Sequence, residues 1–142
     1  MYKSILIPID LYDKSSLKPI LLKSLNFAQA FESILSFVYV IPDFGIKAVE
    51  DYLPKHWIRD QKSKYTTQIT ELVKQYIPEG IKININIARG SVYDKVIQYS
   101  NEIEADLIIV SAIRPQFRDY MLGPNASKIV RHASISVLVV RE

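Results

Sequence analysis

Short apolar runs alternate along this chain with longer stretches in which apolar residues recur every three or four positions. Four runs are apolar almost throughout: KSILIPI at 3–9, ILSFVYVI at 34–41, DLIIVSA at 106–112 and ISVLVV at 135–140. Uninterrupted runs of this length fit strands buried on both faces, as in a parallel sheet. KININIA at 82–88 alternates polar and apolar residues instead. It reads as a strand with one wetter face, at a sheet edge.

The stretches between the runs carry helical spacing. Across 15–32, Leu17, Ile20, Leu21, Leu25, Ala28 and Phe31 fall on one stripe. Ser15 or Ser16 is the expected cap, with Pro19 in the first turn, where proline is tolerated. The stretch 55–77 reads as helix until Pro78, Glu79 and Gly80 stop it. In 91–103, Val92, Val96, Ile97 and Ile103 share a face, capped by Ser91, with Asp94 at the third helical position. A short last helix is expected over 125–133, with Asn125 as a candidate cap. The resulting order is β-α-β-α-β-α-β-α-β. That alternation predicts an open parallel sheet with helices on both faces. No internal repeat or low-complexity segment stands out, so residues 1–142 read as a single domain.

Composition narrows the function only a little. The 142 residues include no cysteine, which removes disulfides and thiolate metal sites. His56 and His132 are too few and too far apart in sequence to suggest a metal centre. The formal charge of +3 permits anion binding without identifying an anion. The densest basic stretch, KHWIRDQKSK at 55–64, is interrupted by Asp60 and reads as the solvated face of a helix rather than a nucleic-acid surface. It also holds Trp57, a candidate lid or dimer contact. The opening MYKSILIPID lacks the features of a signal peptide, and no apolar stretch is long enough to span a bilayer. The expected compartment is the cytoplasm.

In open α/β sheets ligands bind beyond the carboxyl ends of the strands, where the strand order reverses. The residues that follow each run are therefore the candidates. After the first comes Asp10, suited to a ribose hydroxyl or a base amine and equally to capping a turn. At the end of the second stand Val40 and Ile41, which can wall an apolar slot as any buried strand end can. Gly90 and Ser91 follow the third and open a helix. After the fourth comes SAIRPQFRDYMLGPNASKIVRH, 111–132. Here a phosphate can use Arg114 or Arg118, the amides near Gly123 and the N-terminus of the last helix. By spacing alone, a turn glycine, a capping asparagine and two solvated arginines account for it equally. There is no GxxxxGK[ST] and no GxGxxG.

Three blocks together resemble the universal stress protein family over essentially the whole chain. KSILIPID resembles the family's opening strand with its aspartate. ARGSVYDKVIQYSNEIEADLIIVSA resembles its block ending in ADLIVMG. YMLGPNASKIVRHASISVLVVR is similar to its closing pattern LLGSVAERVLRHAPCPVLVVR. The resemblance implies five parallel strands in the order 3-2-1-4-5 with four helices, a Rossmann-like fold. It also implies a homodimer paired along the last strand, from Ile135 to Val140. An exposed apolar edge there gives a physical reason for pairing.

Members that bind ATP carry Gly, two residues, Gly, nine residues, Gly and then Ser or Thr. Here Ser111 takes the first glycine's place, the second is missing near Arg114 and Pro115, Gly123 is kept, and Pro124 replaces the Ser/Thr. The loop resembles instead the F/G-type branch, in which ASHRP precedes LLGSNA and ATP is still bound. The resemblance thus implies ATP, with or without Mg, as the cofactor. Asp10 would hold ribose or base and Val40 would pack on adenine. Ser111, Arg114, Gly123 and Asn125 would surround the phosphates, and Pro8, Ile9, Val110 and Ala126 complete the binding set. Pro115 and Pro124 each remove an N–H from the loop. The alternative is a stress-protein dimer without nucleotide, acting through protein–protein contact. No catalytic set is visible, so slow ATP hydrolysis is the most enzymatic outcome expected. No metal site, membrane contact or nucleic-acid partner is expected.

Overall fold

The computed structural model describes residues 1–41, 52, 54–112 and 122–141. Strands and helices alternate along them: β1 (Ser4–Pro8), α1 (Lys14–Phe31), β2 (Ile34–Ile41), α2 (Lys55–Lys74), β3 (Ile83–Arg89), α3 (Val92–Glu102), β4 (Leu107–Ser111), α4 (Pro124–His132) and β5 (Ser136–Val140). The strands form one parallel sheet in the order β3-β2-β1-β4-β5, as the resemblance implies.

The apolar runs are continuous because both faces of the sheet are covered. Successive side chains on a strand point to opposite faces. Ile5, Ile7, Leu35, Phe37, Leu107 and Ile109 join Leu17, Ile20 and Leu21 of α1 and Ile69 and Val73 of α2 in one core. Leu6, Val38, Val40, Ile108 and Val110 join Val96 of α3 and Ile129 of α4 in the other. β3 pairs only with β2, and Lys82 and Asn84 are exposed, which accounts for its polar alternation. β5 closes the opposite edge with Val137, Leu138 and Val139 half-buried.

One carboxylate sets the base of the sheet. Asp106 accepts hydrogen bonds from the N–H groups of Lys3 at 2.9 Å and Ser4 at 3.1 Å. Its own N–H donates to the Ser4 carbonyl at 2.9 Å. The starts of β1 and β4 are thereby held level, so their carboxyl ends open at the same height.

The helix boundaries differ from expectation at the start of α1, the end of α2 and the start of α4. α1 starts at Lys14 behind an Asp13 cap, so Pro19 is its sixth residue rather than part of the first turn. The carbonyl that Pro19 cannot serve belongs to Ser15, which is exposed. Ser15 and Ser16 do not cap the helix. Their hydroxyls donate to the Asp13 carboxylate at 2.6 Å and to the Asp13 carbonyl at 3.0 Å. α2 ends at Lys74 rather than at 77, and Gly80 makes the following turn with φ +99°, a conformation that favours glycine. The cap of α4 is Gly123 and not Asn125, because Pro124 takes the first helical position, where its missing N–H has no partner to lose. Ser91 does precede α3, with Asp94 in its first turn.

Candidate functional site

The chain builds the sheet outward from β1 to β2 and β3, then returns to the other side of β1 for β4 and β5. The strand order therefore reverses between β1 and β4. A cleft of about 310 Å³ opens there, at the carboxyl ends of β1, β2 and β4.

Its walls come from both faces of the sheet. Val40, Val110 and Ala126 belong to the α3/α4 side, and Ile9, Leu17, Ile20 and Tyr39 to the α1/α2 side. Strand ends supply side chains of both parities, since successive residues point to opposite faces of the sheet. Ile9 extends β1 into the cleft by donating its N–H to the Val38 carbonyl at 2.8 Å. Asp10 then turns the chain, and its Oδ1 accepts the Tyr12 N–H at 3.0 Å. The carboxylate thus makes the turn that the sequence suggests, and it does so on the cleft wall.

The start of α4 faces the same space through Gly123, Asn125 and Ala126. The first N–H groups of a helix have no partner inside it. Pro124 has none to offer, and the first described intrahelical bond runs from the Ser127 N–H to the Gly123 carbonyl at 2.9 Å. The N–H groups of Asn125 and Ala126 therefore stand at the positive end of the helix dipole, beside the cleft. Gly123 is buried with φ −57° and ψ 160°, a backbone that any residue adopts. Its value at this position lies in its lack of a side chain rather than in conformational freedom.

The cleft gathers Pro8, Ile9, Asp10, Val40, Val110, Ser111, Gly123, Asn125 and Ala126, all named from the sequence. Arg114, Pro115 and Arg118 lie outside the described residues. Trp57 is not among the described residues that line the cleft. His132 is also absent from that lining and stands edge-on to Tyr93, with ring centroids 5.9 Å apart. Among the described residues no group of three or more His, Cys, Asp or Glu side chains is placed to hold a metal ion, and no helix is long and apolar enough to cross a membrane.

Sequence reading passed over Tyr12, Asp13 and Tyr39, which line the cleft as well. Tyr12 is two residues from Asp10 in the same loop, and that proximity is the signal that was available. Tyr39 is 4% exposed and tilted against Tyr65 of α2, with centroids 4.8 Å apart. Its hydroxyl is in hydrogen-bonding reach of the Tyr12 and Tyr65 side chains. Burial first, and then these two neighbouring phenols, push its pKa well above the ordinary value for tyrosine. Tyr39 is therefore a neutral phenol throughout the physiological range.

The raised pKa has a measurable consequence. An acid whose folded pKa lies above its unfolded one keeps its proton in the native state while the unfolded chain loses it. Stability is then fully present below about pH 10, the ordinary tyrosine value, and is lost as pH climbs through the folded value. Urea unfolding of the wild type is expected to weaken more steeply above pH 10 than that of Tyr39→Phe. Parallel slopes for the two proteins would show that Tyr39 is not the group responsible.

Comparison with known proteins adds the family. The model of the universal stress protein family matches residues 1–141. Universal stress protein G of Salmonella typhimurium is 25% identical over 143 residues, which cover 99% of this chain and 100% of that one. The structure of universal stress protein UspA from Lactobacillus plantarum superposes with a TM-score of 0.78 at 22% identity, covering 99% of this chain and 98% of that one. That of the universal stress protein from Archaeoglobus fulgidus, solved in complex with dAMP, does so with a TM-score of 0.68 at 14% identity, covering 99% and 98%. With this fold, this order of strands and a family match running through residue 141, the chain belongs to the universal stress protein family.

Proposed function

We propose that this protein is a stress-response regulatory module that binds ATP in the cleft between β1, β2 and β4 and works as a homodimer paired along β5. The observation that carries the reading is the convergence on one cleft of an apolar wall, a carboxylate and a helix N-terminus. Val40, Val110 and Ala126 offer the base an apolar surface. Asp10 is placed to accept from ribose hydroxyls. The N–H groups of Asn125 and Ala126 face the phosphates, with the helix dipole favouring negative charge. The volume of about 310 Å³ is at the lower end of the range for small-molecule sites. The dAMP complex of the Archaeoglobus fulgidus relative supports an adenine nucleotide in this family. Magnesium, which keeps most of its water and leans on substrate phosphates, would arrive with the nucleotide rather than wait in the protein.

Pro124 bears on this reading less heavily than its position in the motif suggests. As the first helical residue it removes one donor and leaves the next two in place. The dimer is supported by the half-buried Val137, Leu138 and Val139 on the outer strand, since an unpaired apolar edge invites a second strand. A second reading, a dimer that holds no nucleotide, draws on the same edge together with the amide lost at Pro124.

Calorimetric titration of the nucleotide-stripped protein separates the two. Saturable heat with Mg-ATP, at least tenfold tighter than with AMP, is expected if the start of α4 holds the outer phosphates. Absence of heat at millimolar ATP, with an unshifted melting temperature, would leave the edge-paired dimer without nucleotide.

A further inference from the structure

Tyr12 combines two properties that do not ordinarily go together. It is 82% exposed, and it lines the cleft. Its backbone is held, because its N–H donates to the Asp10 carboxylate at 3.0 Å, and it shares the cleft lining with Tyr39. Tyr39 is itself locked, buried within the core beside α1 and packed on Tyr65 of α2. A large ring held open to solvent contributes little to the stability of the fold. Restricting its motion costs entropy that packing does not return.

The placement gives that ring a use. Tyr12 shares the cleft lining with Val40, Val110 and Ala126, the aliphatic residues of the α3/α4 side. Between an aromatic face and an aliphatic wall the natural occupant is a flat ring. We propose that Tyr12 is the stacking residue of this cleft, selecting ligands that carry a planar nucleobase over those that bring only sugar or phosphate. This rests on the nucleotide reading above. Stacking on a phenol ring is available to every base, because every base has a π-face. Tyr12 therefore sets the requirement for a base, and the choice among bases falls to polar groups around it. The bond from its N–H to Asp10 holds the backbone that carries the ring before the ligand arrives, which spares part of the ordering cost of binding.

The test is calorimetry of the full chain with Mg-ATP and, separately, with inorganic tripolyphosphate as a displacing ligand. Tyr12→Ala is expected to weaken ATP about tenfold, the loss of one base–aromatic stack. The dissociation constant of tripolyphosphate itself should be unchanged, and so should the melting temperature of the ligand-free protein. Tyr12→Phe keeps the ring and loses the hydroxyl, so it should stay within about threefold of wild type. Tyr12→Trp should restore ATP binding, with the new indole's fluorescence quenched on saturation. A Tyr12→Ala protein that binds ATP as the wild type does overturns the role of Tyr12 and leaves the nucleotide reading standing. Equal loss of ATP and tripolyphosphate also overturns it, because the residue would then act on the phosphate end. A wild type that takes up no ATP overturns the nucleotide reading, and the stacking role falls with it.

Discussion

Replacing Phe37 with alanine is expected to lower the unfolding free energy by about 3–5 kcal/mol, the range for a large aromatic side chain removed from a rigid core. Phe37 is fully buried, at 0% exposure. It sits in the middle of β2, opposite Ile7 on one neighbouring strand and Ile85 on the other. Its ring belongs to the core beneath α1 and α2, with Leu17, Leu21, Ile69 and Val73. Paired on both sides and covered by helices, β2 has no freedom to close over the space left behind. The loss is a large share of the roughly 5–15 kcal/mol that holds a domain together. Urea unfolding followed by far-ultraviolet circular dichroism measures it, with Phe37→Leu as the milder control at below about 2 kcal/mol. A loss under 1 kcal/mol for Phe37→Ala would contradict the packing described.

What could be read from the sequence follows from which interactions are local. The strand segments were legible because burial on both faces leaves no polar position in the run, as at Ile5, Leu6 and Ile7. The edge position of β3 was legible from Asn84 and Asn86, since an outermost strand is less thoroughly covered. The order of the strands was not carried by periodicity. It came with the resemblance, because nothing in a run of valines says which neighbour it pairs with. The cap of α1 was misplaced by two or three residues because Ser15 and Ser16 have the chemistry of a cap, whereas packing of Leu17, Ile20 and Leu21 against the sheet decides where the helix begins. The cap of α4 was misplaced although the sequence holds the reason. Proline suits the first helical position, and Pro124 therefore points to Gly123.

The cleft was legible at the strand ends, where position along the chain alone says that a residue leaves the sheet. Asp10, Val40 and Ser111 are of this kind. Tyr39 was not legible as part of it. Its role depends on Tyr65, 26 positions away on α2, and on Tyr12 across the loop, and neither pairing leaves a trace in local spacing. The tyrosine path from Tyr12 through Tyr39 to Tyr65 also joins the mouth of the cleft to a helix whose first described turns carry no fully buried residue. α2 is thus fixed to the body mainly near Ile69 and Val73.

Gly123→Val is expected to weaken ATP by about ten- to hundredfold or more while leaving the protein folded. The two halves of that expectation rest on separate observations. Gly123 lies on the cleft wall and is buried, so an added isopropyl group must take space at the start of α4, where the phosphates are proposed to sit. On the cleft wall the isopropyl group takes space from the ligand, and a ten- to hundredfold loss corresponds to about 1.4–3 kcal/mol of binding. Folding is spared because φ −57° and ψ 160° suit valine, and because the residue before a proline is held in that extended region in any case. The carbonyl that accepts the Ser127 N–H at 2.9 Å is retained, so the first turn of α4 keeps its bond. Valine is a poorer cap than glycine, a loss of a few tenths to about 1 kcal/mol. Calorimetry with ATP, together with the melting temperature of the ligand-free variant, reads both halves at once. Unimpaired binding in a folded Gly123→Val protein would move the phosphates away from α4. The Asn125 and Ala126 amides would then lose the role proposed for them, even if the base remained between Tyr12 and Val40.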